Sequence, residues 1–267
     1  MNPSSTKGKV YLVGAGPGDP ELLTLKAVRV LRLAEVVLHD DLVGAGVLDL
    51  IPKTAQIHNV GKRCGRPSMR QEEISALLVA VGSLGLQVVR LKGGDPLIFG
   101  RAGEELEALR AAEIEVEIVP GVSSALAAAA AAQIPVTHRE LSSAVVFLAG
   151  HHASGQRADG FIEILSPKMT YAVYMPGYAY AAISARLIAG GLSEETPCAI
   201  ISQIACDGER VYRTTLQHLA SAPHLPAPTV LLVGEVVRLA SHASLEHGAS
   251  VPQTEQAPLG RAPGDSR

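Results

Sequence analysis

"VVRLKGGDPLIFGRAGEE", Val88 to Glu105, decides the fold. A short run rich in apolar residues ends on Gly93 and Gly94. An acid and a proline follow, and Gly100 and Gly103 then open a stretch of helical character. Strand, glycine turn, helix is the order of a βα unit. In open α/β sheets, ligands bind beyond the carboxyl ends of the strands. Gly93, Gly94 and Asp95 therefore stand where a ligand would be met.

Working outward, similar units recur. Strand-like runs at Val10–Val13, Val36–His39, Gln56–Val60, Gln87–Leu91 and Val116–Val119 alternate with helical stretches. That alternation predicts a parallel α/β sheet. A helix is expected over Leu22–Leu33, entered by Asp19 as N-cap and Pro20 at its first position. Ser68 and Gln71 have the spacing of a capping box before "EEISALLVAV". Pro120-Gly121 breaks the pattern, and an alanine-rich helix, Ser123–Ala132, follows. A second set of strands is expected at Ala144–Leu148, Tyr171–Met175, Cys198–Ser202, Val211–Arg213 and Thr229–Val233, in a mixed sheet. The expected organisation is a flexible segment 1–8, an α/β domain 9–119, a second α/β domain 120–243 and a disordered tail 244–267. A ligand cleft would lie between the two domains.

Composition narrows the function. With 47% hydrophobic and 18% charged residues in 267, the chain reads as globular with a full core. A net charge of −3, 3% aromatics and no Trp argue against a nucleic-acid partner. Cys64, Cys198 and Cys206 lack metal-ligand spacing and read as reduced cytosolic thiols. "MNPSSTKGK" has no apolar core of a signal peptide. No apolar run approaches the ~20 residues of a membrane span, so no membrane partner is expected.

"VYLVGAGPGDPELLTLKA", Val10–Ala27, invites the dinucleotide fingerprint G-x-G-x-x-G and fails it. The third glycine would fall at Asp19. Pro17 lacks the N–H that a pyrophosphate wants, and Asp19 puts negative charge beside it. No Gly-Lys-Ser/Thr follows, so it is not a Walker loop. The loop suits a ligand approached by backbone and carrying little negative charge. In the second loop, the Asp95 carboxylate suits ribose hydroxyls, an ammonium or a sulfonium, and S-adenosylmethionine carries all three. From the residues alone, that ligand and a purely structural turn stand level.

Those two loops, with "VGKR" (Val60–Arg63), "VPGVSSALAAAA" (Val119–Ala130), "IPVTHRE" (Ile134–Glu140) and "LLVGEVVRL" (Leu231–Leu239), resemble the tetrapyrrole methylase family. "RLKGGDPLIFGRAGEE" and "VGKR" are similar to its uroporphyrinogen-III C-methyltransferase branch. The likeness spans roughly Lys9 to Leu239. It implies two α/β domains around a cleft, a cytoplasmic homodimer, and transfer of two methyls from S-adenosylmethionine to carbons 2 and 7 of uroporphyrinogen III. The product, precorrin-2, would feed siroheme and cobalamin synthesis; methylation of a later precorrin is the alternative. The resemblance implies cofactor contacts at Pro17, Gly93, Gly94, Asp95, Ile98, Ser123, Ser124, Met175 and Ile204. It implies Asp40 as proton acceptor and Lys62 as proton donor. The chain departs from the family at His39, Asp41, Ala149 and Pro176. A precorrin-2 dehydrogenase module is sometimes fused to such enzymes, and the residues beyond the likeness leave no room for one, so methyl transfer alone is expected.

The chemistry asks for alignment of a pyrrole carbon with the methyl group and for a base to remove a proton. A substrate with eight carboxylates asks for cations. His58, Lys62, Arg63, Arg66 and Arg70 cluster in sequence, and arginine clamps carboxylates bidentately. Arg63, Arg66, Arg101 and Arg139 are the expected substrate contacts. Asp40 and Asp41 end a strand, where alternation sends one into the cleft and the other away. His151-His152 has no evident third ligand, and no metal is expected.

Overall fold

The computed structural model describes residues 8–61, 69–150 and 165–240. Two five-stranded sheets organise the described residues. The first holds β1 (Lys9–Gly14), β2 (Val36–His39), β3 (Gln56–Asn59), β4 (Gln87–Lys92) and β5 (Glu115–Val119) in the order β3-β2-β4-β1-β5. All its pairings are parallel. Between the strands run α1 (Leu25–Arg32), α2 (Ala45–Leu48), α3 (Gln71–Gly82) and α4 (Ala102–Ala111). Both faces of the sheet are covered, so its central strands are buried along nearly their whole length.

The strand order creates a switch point. Leaving β1, the chain moves toward β2; leaving the neighbouring β4, it crosses in the opposite direction to β5. The two segments part at adjacent carboxyl ends and open a crevice there. Gly16 and Pro17 follow β1, and Gly93 to Asp95 follow β4. The topology thus brings together the two glycine loops that are far apart in sequence.

The second sheet holds β6 (Ala144–Ala149), β7 (Met169–Tyr174), β8 (Pro197–Ser202), β9 (Arg210–Thr215) and β10 (Thr229–Val233) in the order β6-β7-β10-β8-β9. It is mixed: β6 and β7 run parallel and the other pairs antiparallel. α6 (Tyr180–Ala189) and α7 (Leu216–Leu219) pack on one face. α5 (Ser124–Ala131) packs on the other. Its alanines lie against Ala172, Ala199, Val230 and Leu232, where side chains of that size let helix and sheet backbones come close.

Two expectations about helix starts need correction. Asp19 does cap, accepting from Glu21 N at 2.8 Å, but the element it opens is a single 3-10 turn, Pro20–Leu22. Leu23 is extended, and α1 begins afresh at Leu25 with Thr24 as N-cap, whose hydroxyl accepts from Ala27 N at 3.1 Å. Two capping residues five apart make two starts rather than one long helix. α3 is capped at Arg70, whose N–H donates to Glu73 at 2.7 Å, rather than through Ser68 and Gln71. Gln71 is already helical and turned inward, and Ser68 lies outside the described residues.

Candidate active site

Three backbones meet where β1 ends. Gly16 N donates to Gly94 O at 3.2 Å, and Gly94 N donates to Gly16 O at 2.7 Å. A Cβ on Gly121 would stand 2.4 Å from Gly94 O and 2.8 Å from Gly14 Cα. Only glycine lets these main chains touch. Gly94 also has φ +68, in the left-handed region where a side chain is strained. The carboxylate of Asp95 fastens the junction: one oxygen accepts from Leu97 N at 2.9 Å and the other from Gly121 N at 3.1 Å. Asp95 therefore pins its own loop to the crossover between the sheets.

A cavity of about 160 Å³ opens at this junction. Pro17, Gly93, Gly94, Asp95, Ile98, Ser123, Ser124 and Met175 all line it, as does Asp40. Eight of the nine residues expected at the cofactor thus come together from both halves of the chain. Ile204 does not line the cavity; its side chain is buried in the core beneath α5. Ser123 is buried too, and its hydroxyl is bonded to the phenol of Tyr174. Tyr174 also accepts from Ala125 N at 3.3 Å, so the end of β7 caps the start of α5. Burial pushes the Tyr174 phenol above its ordinary range, the Ser123 bond opposing, and keeps it neutral. Phe99 packs on its ring at 5.0 Å between centroids.

Asp40 follows β2, its N–H donating to Leu91 O at 3.3 Å. One carboxylate oxygen accepts from Arg90 Nη2 at 2.5 Å. Asp41 turns elsewhere, accepting from Asn59 Nδ2 at 2.7 Å. Arg90 is 2% exposed. Its Nε donates to Glu105 at 3.0 Å and its Nη1 to the carbonyl of Leu91 at 3.2 Å. Lys92, also 2% exposed, donates to the same Glu105 oxygen at 2.9 Å and lines the cavity. Burial, followed by repulsion from Arg90, draws the Lys92 ammonium below its ordinary range, while Glu105 and Asp40 oppose that shift.

Arg90, Lys92, Glu105 and Tyr174 were not among the residues expected at the site. A signal for the first three exists. Arg90 and Lys92 are two apart in a strand with apolar neighbours, so both point to one side. Cations there need a buried anion, and the next helix offers Glu105. The Tyr174 contact had no local signal, since its partners are some fifty residues away in sequence.

The expected substrate cations are placed unevenly. Arg101 is exposed and bonded bidentately to Glu104, at 2.8 and 2.7 Å. Arg139 is exposed on the turn bridged by His138 and Ser142. Neither lines the cavity. Lys62, Arg63, Arg66 and His151-His152 lie outside the described residues. Among the described residues, no helix is long and apolar enough to cross a membrane.

Residues 9–220 match the family described as Tetrapyrrole (Corrin/Porphyrin) Methylases. A crystal structure of uroporphyrin III C-methyltransferase from Thermus thermophilus superposes with a TM-score of 0.76 at 40% identity, covering 87% of this chain and 100% of that one. The Thermus thermophilus enzyme complexed with S-adenyl homocysteine superposes with a TM-score of 0.74 at 39% identity, with the same coverage. Siroheme synthase 1 of Yersinia enterocolitica is 46% identical over 253 residues, 94% of this chain but 53% of that protein. The chain thus spans about half the length of the curated relatives it matches.

Proposed function

Because the chain belongs to the tetrapyrrole (corrin/porphyrin) methylase family, we propose that it is an S-adenosylmethionine-dependent methyltransferase that converts uroporphyrinogen III to precorrin-2, by methylation at carbons 2 and 7, for siroheme and cobalamin synthesis. The observation that carries the reading is the composition of the cavity. It is lined by backbone from two paired glycine loops, and its charged groups are Asp40, Asp95 and a Lys92 committed to Glu105. Such a surface suits a ligand with a sulfonium and an ammonium and repels a pyrophosphate. The relatives with solved structures, one of them holding the demethylated cofactor, support the same reading.

When bound, S-adenosylmethionine supplies a methyl on a cationic sulfur, which a carbon nucleophile takes while the sulfur keeps the bonding pair. On this reading Gly93, Gly94 and Asp95 hold it from the first sheet and Met175 and Ser124 from the second. The cavity then sets the line of approach, which matters more than activation for so good a leaving group. Attack through a pyrrole carbon leaves the tetrapyrrole with one positive charge and one proton to lose. Asp40 is the base for that proton. Arg90 bonds one of its oxygens, leaving the other for the substrate. A carboxylate is a weak base, but a cationic adduct is a strong acid, so the match is adequate. Lys62 is the proton donor: it gives a proton to the ring only in exchange for a second one taken off at another ring position, so that one proton net leaves with each methyl. Arg63, Arg66, Arg101 and Arg139 hold substrate carboxylates, Arg101 by exchanging Glu104 for the substrate. The protein acts as a cytoplasmic homodimer, with the substrate entering between domains 9–119 and 120–243.

Calorimetry tests the cofactor side. S-adenosylhomocysteine should bind with one site per chain and NAD should not bind. NAD binding in its place would end the reading.

A further inference from the structure

We propose that Glu105 and Lys92 are positioning residues: with Arg90 they form a charge-balanced clamp that orients Asp40 and sets how readily its carboxylate accepts a proton. The proposal rests on the reading of Asp40 as the base and extends it to residues beneath the cleft.

The clamp is built from three elements. Arg90 and Lys92 stand two apart on β4 and face the layer of α3 and α4. Glu105 comes from α4, the helix that follows the loop Gly93–Arg101. Asp40 comes from the end of β2. Glu105 is fully buried, and one of its oxygens takes donors from Gln71, Arg90 and Lys92 at 3.2, 3.0 and 2.9 Å. Its other oxygen is buried without a partner. Arg90 spans the gap, with Glu105 on its Nε and Asp40 on its Nη2. Both ends of the glycine loop and the base are therefore tied through one guanidinium.

Stability does not explain this arrangement. Charges removed from water carry a desolvation cost that their attraction recovers only in part, and apolar residues of similar volume commonly serve as well. A buried network that ends on a carboxylate in a cavity, 29% exposed at its side chain, is better placed to hold that carboxylate than to hold the fold. The cluster counts two cations, Arg90 and Lys92, against two anions, Glu105 and Asp40. Neutralising Glu105 would leave two cations facing Asp40 and deepen the hold on its anion. Neutralising Lys92 would leave Arg90 shared between two anions and loosen it. The other titratable groups near Asp40 among the described residues are His39, whose Nδ1 lies 3.0 Å from the Asp40 carbonyl, Asp41 beside it, and Asp95 on the same cavity. All of these are unchanged by either substitution.

The test uses the full chain labelled with [4-13C]aspartate, the Asp40 resonance being assigned by its loss in Asp40→Asn. Glu105→Gln should move the Asp40 titration midpoint to lower pH and Lys92→Met to higher pH, each by about one pH unit. The double variant Glu105→Gln/Lys92→Met should return it to the parental position. In turnover, Glu105→Gln should lower kcat roughly tenfold, leave the KM for S-adenosylmethionine unchanged, and be rescued by Lys92→Met in the same chain. Midpoints that stay put, or that move in the same direction in both single variants, would overturn the proposal. Should a single variant fail to fold, the double variant decides: a parental midpoint supports the balance and a displaced one refutes it. The titration needs no tetrapyrrole, so a parent protein that fails to methylate uroporphyrinogen III would sink the proposed function and leave this result readable.

Discussion

Removing one oxygen, in Tyr174→Phe, should loosen the junction between the two halves of the chain. The phenol is bonded to the hydroxyl of Ser123 and accepts from Ala125 N at 3.3 Å. Ala125 is in the first turn of α5, where N–H groups have no partner within the helix. Ser123, the N-cap, does not cap with its own side chain, so the tyrosine serves from another strand. Phenylalanine keeps the ring, and with it the contacts to Phe99 and Phe147 at 5.0 and 5.8 Å. What is lost is the cap, ~1 kcal/mol, together with a partner for the buried Ser123 hydroxyl, roughly 1–3 kcal/mol. A total of about 3 kcal/mol should lower Tm by roughly 6–12 °C in a chain of this size. Scanning calorimetry of Tyr174→Phe, Ser123→Ala and the double variant reads both the loss and the coupling. The two substitutions should couple by about 1 kcal/mol or more. Because burial keeps the phenol neutral, the loss should be the same at roughly pH 6 and pH 9. A Tm within about 1 °C of the parent, with no coupling, would refute the reasoning.

Four further outcomes are expected. Asp40→Asn should lower kcat by a factor on the order of 10²–10⁴ with cofactor affinity kept, while Asp41→Asn, whose side chain is bonded to Asn59 rather than to Arg90, stays within a few-fold; steady-state kinetics with calorimetry separates the two. Gly121→Ala should destabilise the chain and weaken S-adenosylhomocysteine binding together in thermal and calorimetric titrations, since its Cβ would stand 2.4 Å from Gly94 O, a main-chain atom that cannot swing away. Lys26 and Lys9 hold the Glu117 carboxyl down at about 2, from an ordinary 4.5. A depressed folded-state value stabilises above the unfolded one, so Tm should fall as pH drops from 4.5 toward 2, and Glu117→Gln should flatten that fall in a pH series of melts. Burial pushes the Cys198 thiol up to about 12, whereas Cys206 is exposed, so peptide mapping after iodoacetamide treatment of the folded chain should find Cys206 modified and Cys198 intact.

Much of this architecture is legible in the sequence because it is local. The runs at Val36–His39 and Thr229–Val233 coincide with β2 and β10, and the unbroken apolar stretch in each is a short-range signal. The glycine loops were legible for the same reason: Gly93-Gly94-Asp95 after an apolar run marks a strand end whatever surrounds it. What the sequence hid was pairing at a distance. Asp95 reads as a ligand's carboxylate, yet both its oxygens hold main-chain N–H groups, one of them at Gly121 across the chain. Arg101 reads as a substrate cation, yet it is bonded to Glu104 one turn on. Ile204 falls at a family position for a backbone contact, and its side chain belongs to the core. The link from Asp40 through Arg90 to Glu105 joins three elements, and only the strand order β2-β4 makes them neighbours.

On the proposed reading, this cavity aligns a methyl donor with a pyrrole carbon. The most direct measurement is anaerobic incubation of the full chain with uroporphyrinogen III and S-adenosylmethionine carrying a 13C methyl, with the product read by mass and carbon NMR. The account predicts two labelled methyls, on carbons 2 and 7, and an Asp40→Asn variant that binds both ligands yet transfers neither methyl at an appreciable rate. Methyls on other carbons, or none transferred by a chain that binds S-adenosylhomocysteine, would contradict it.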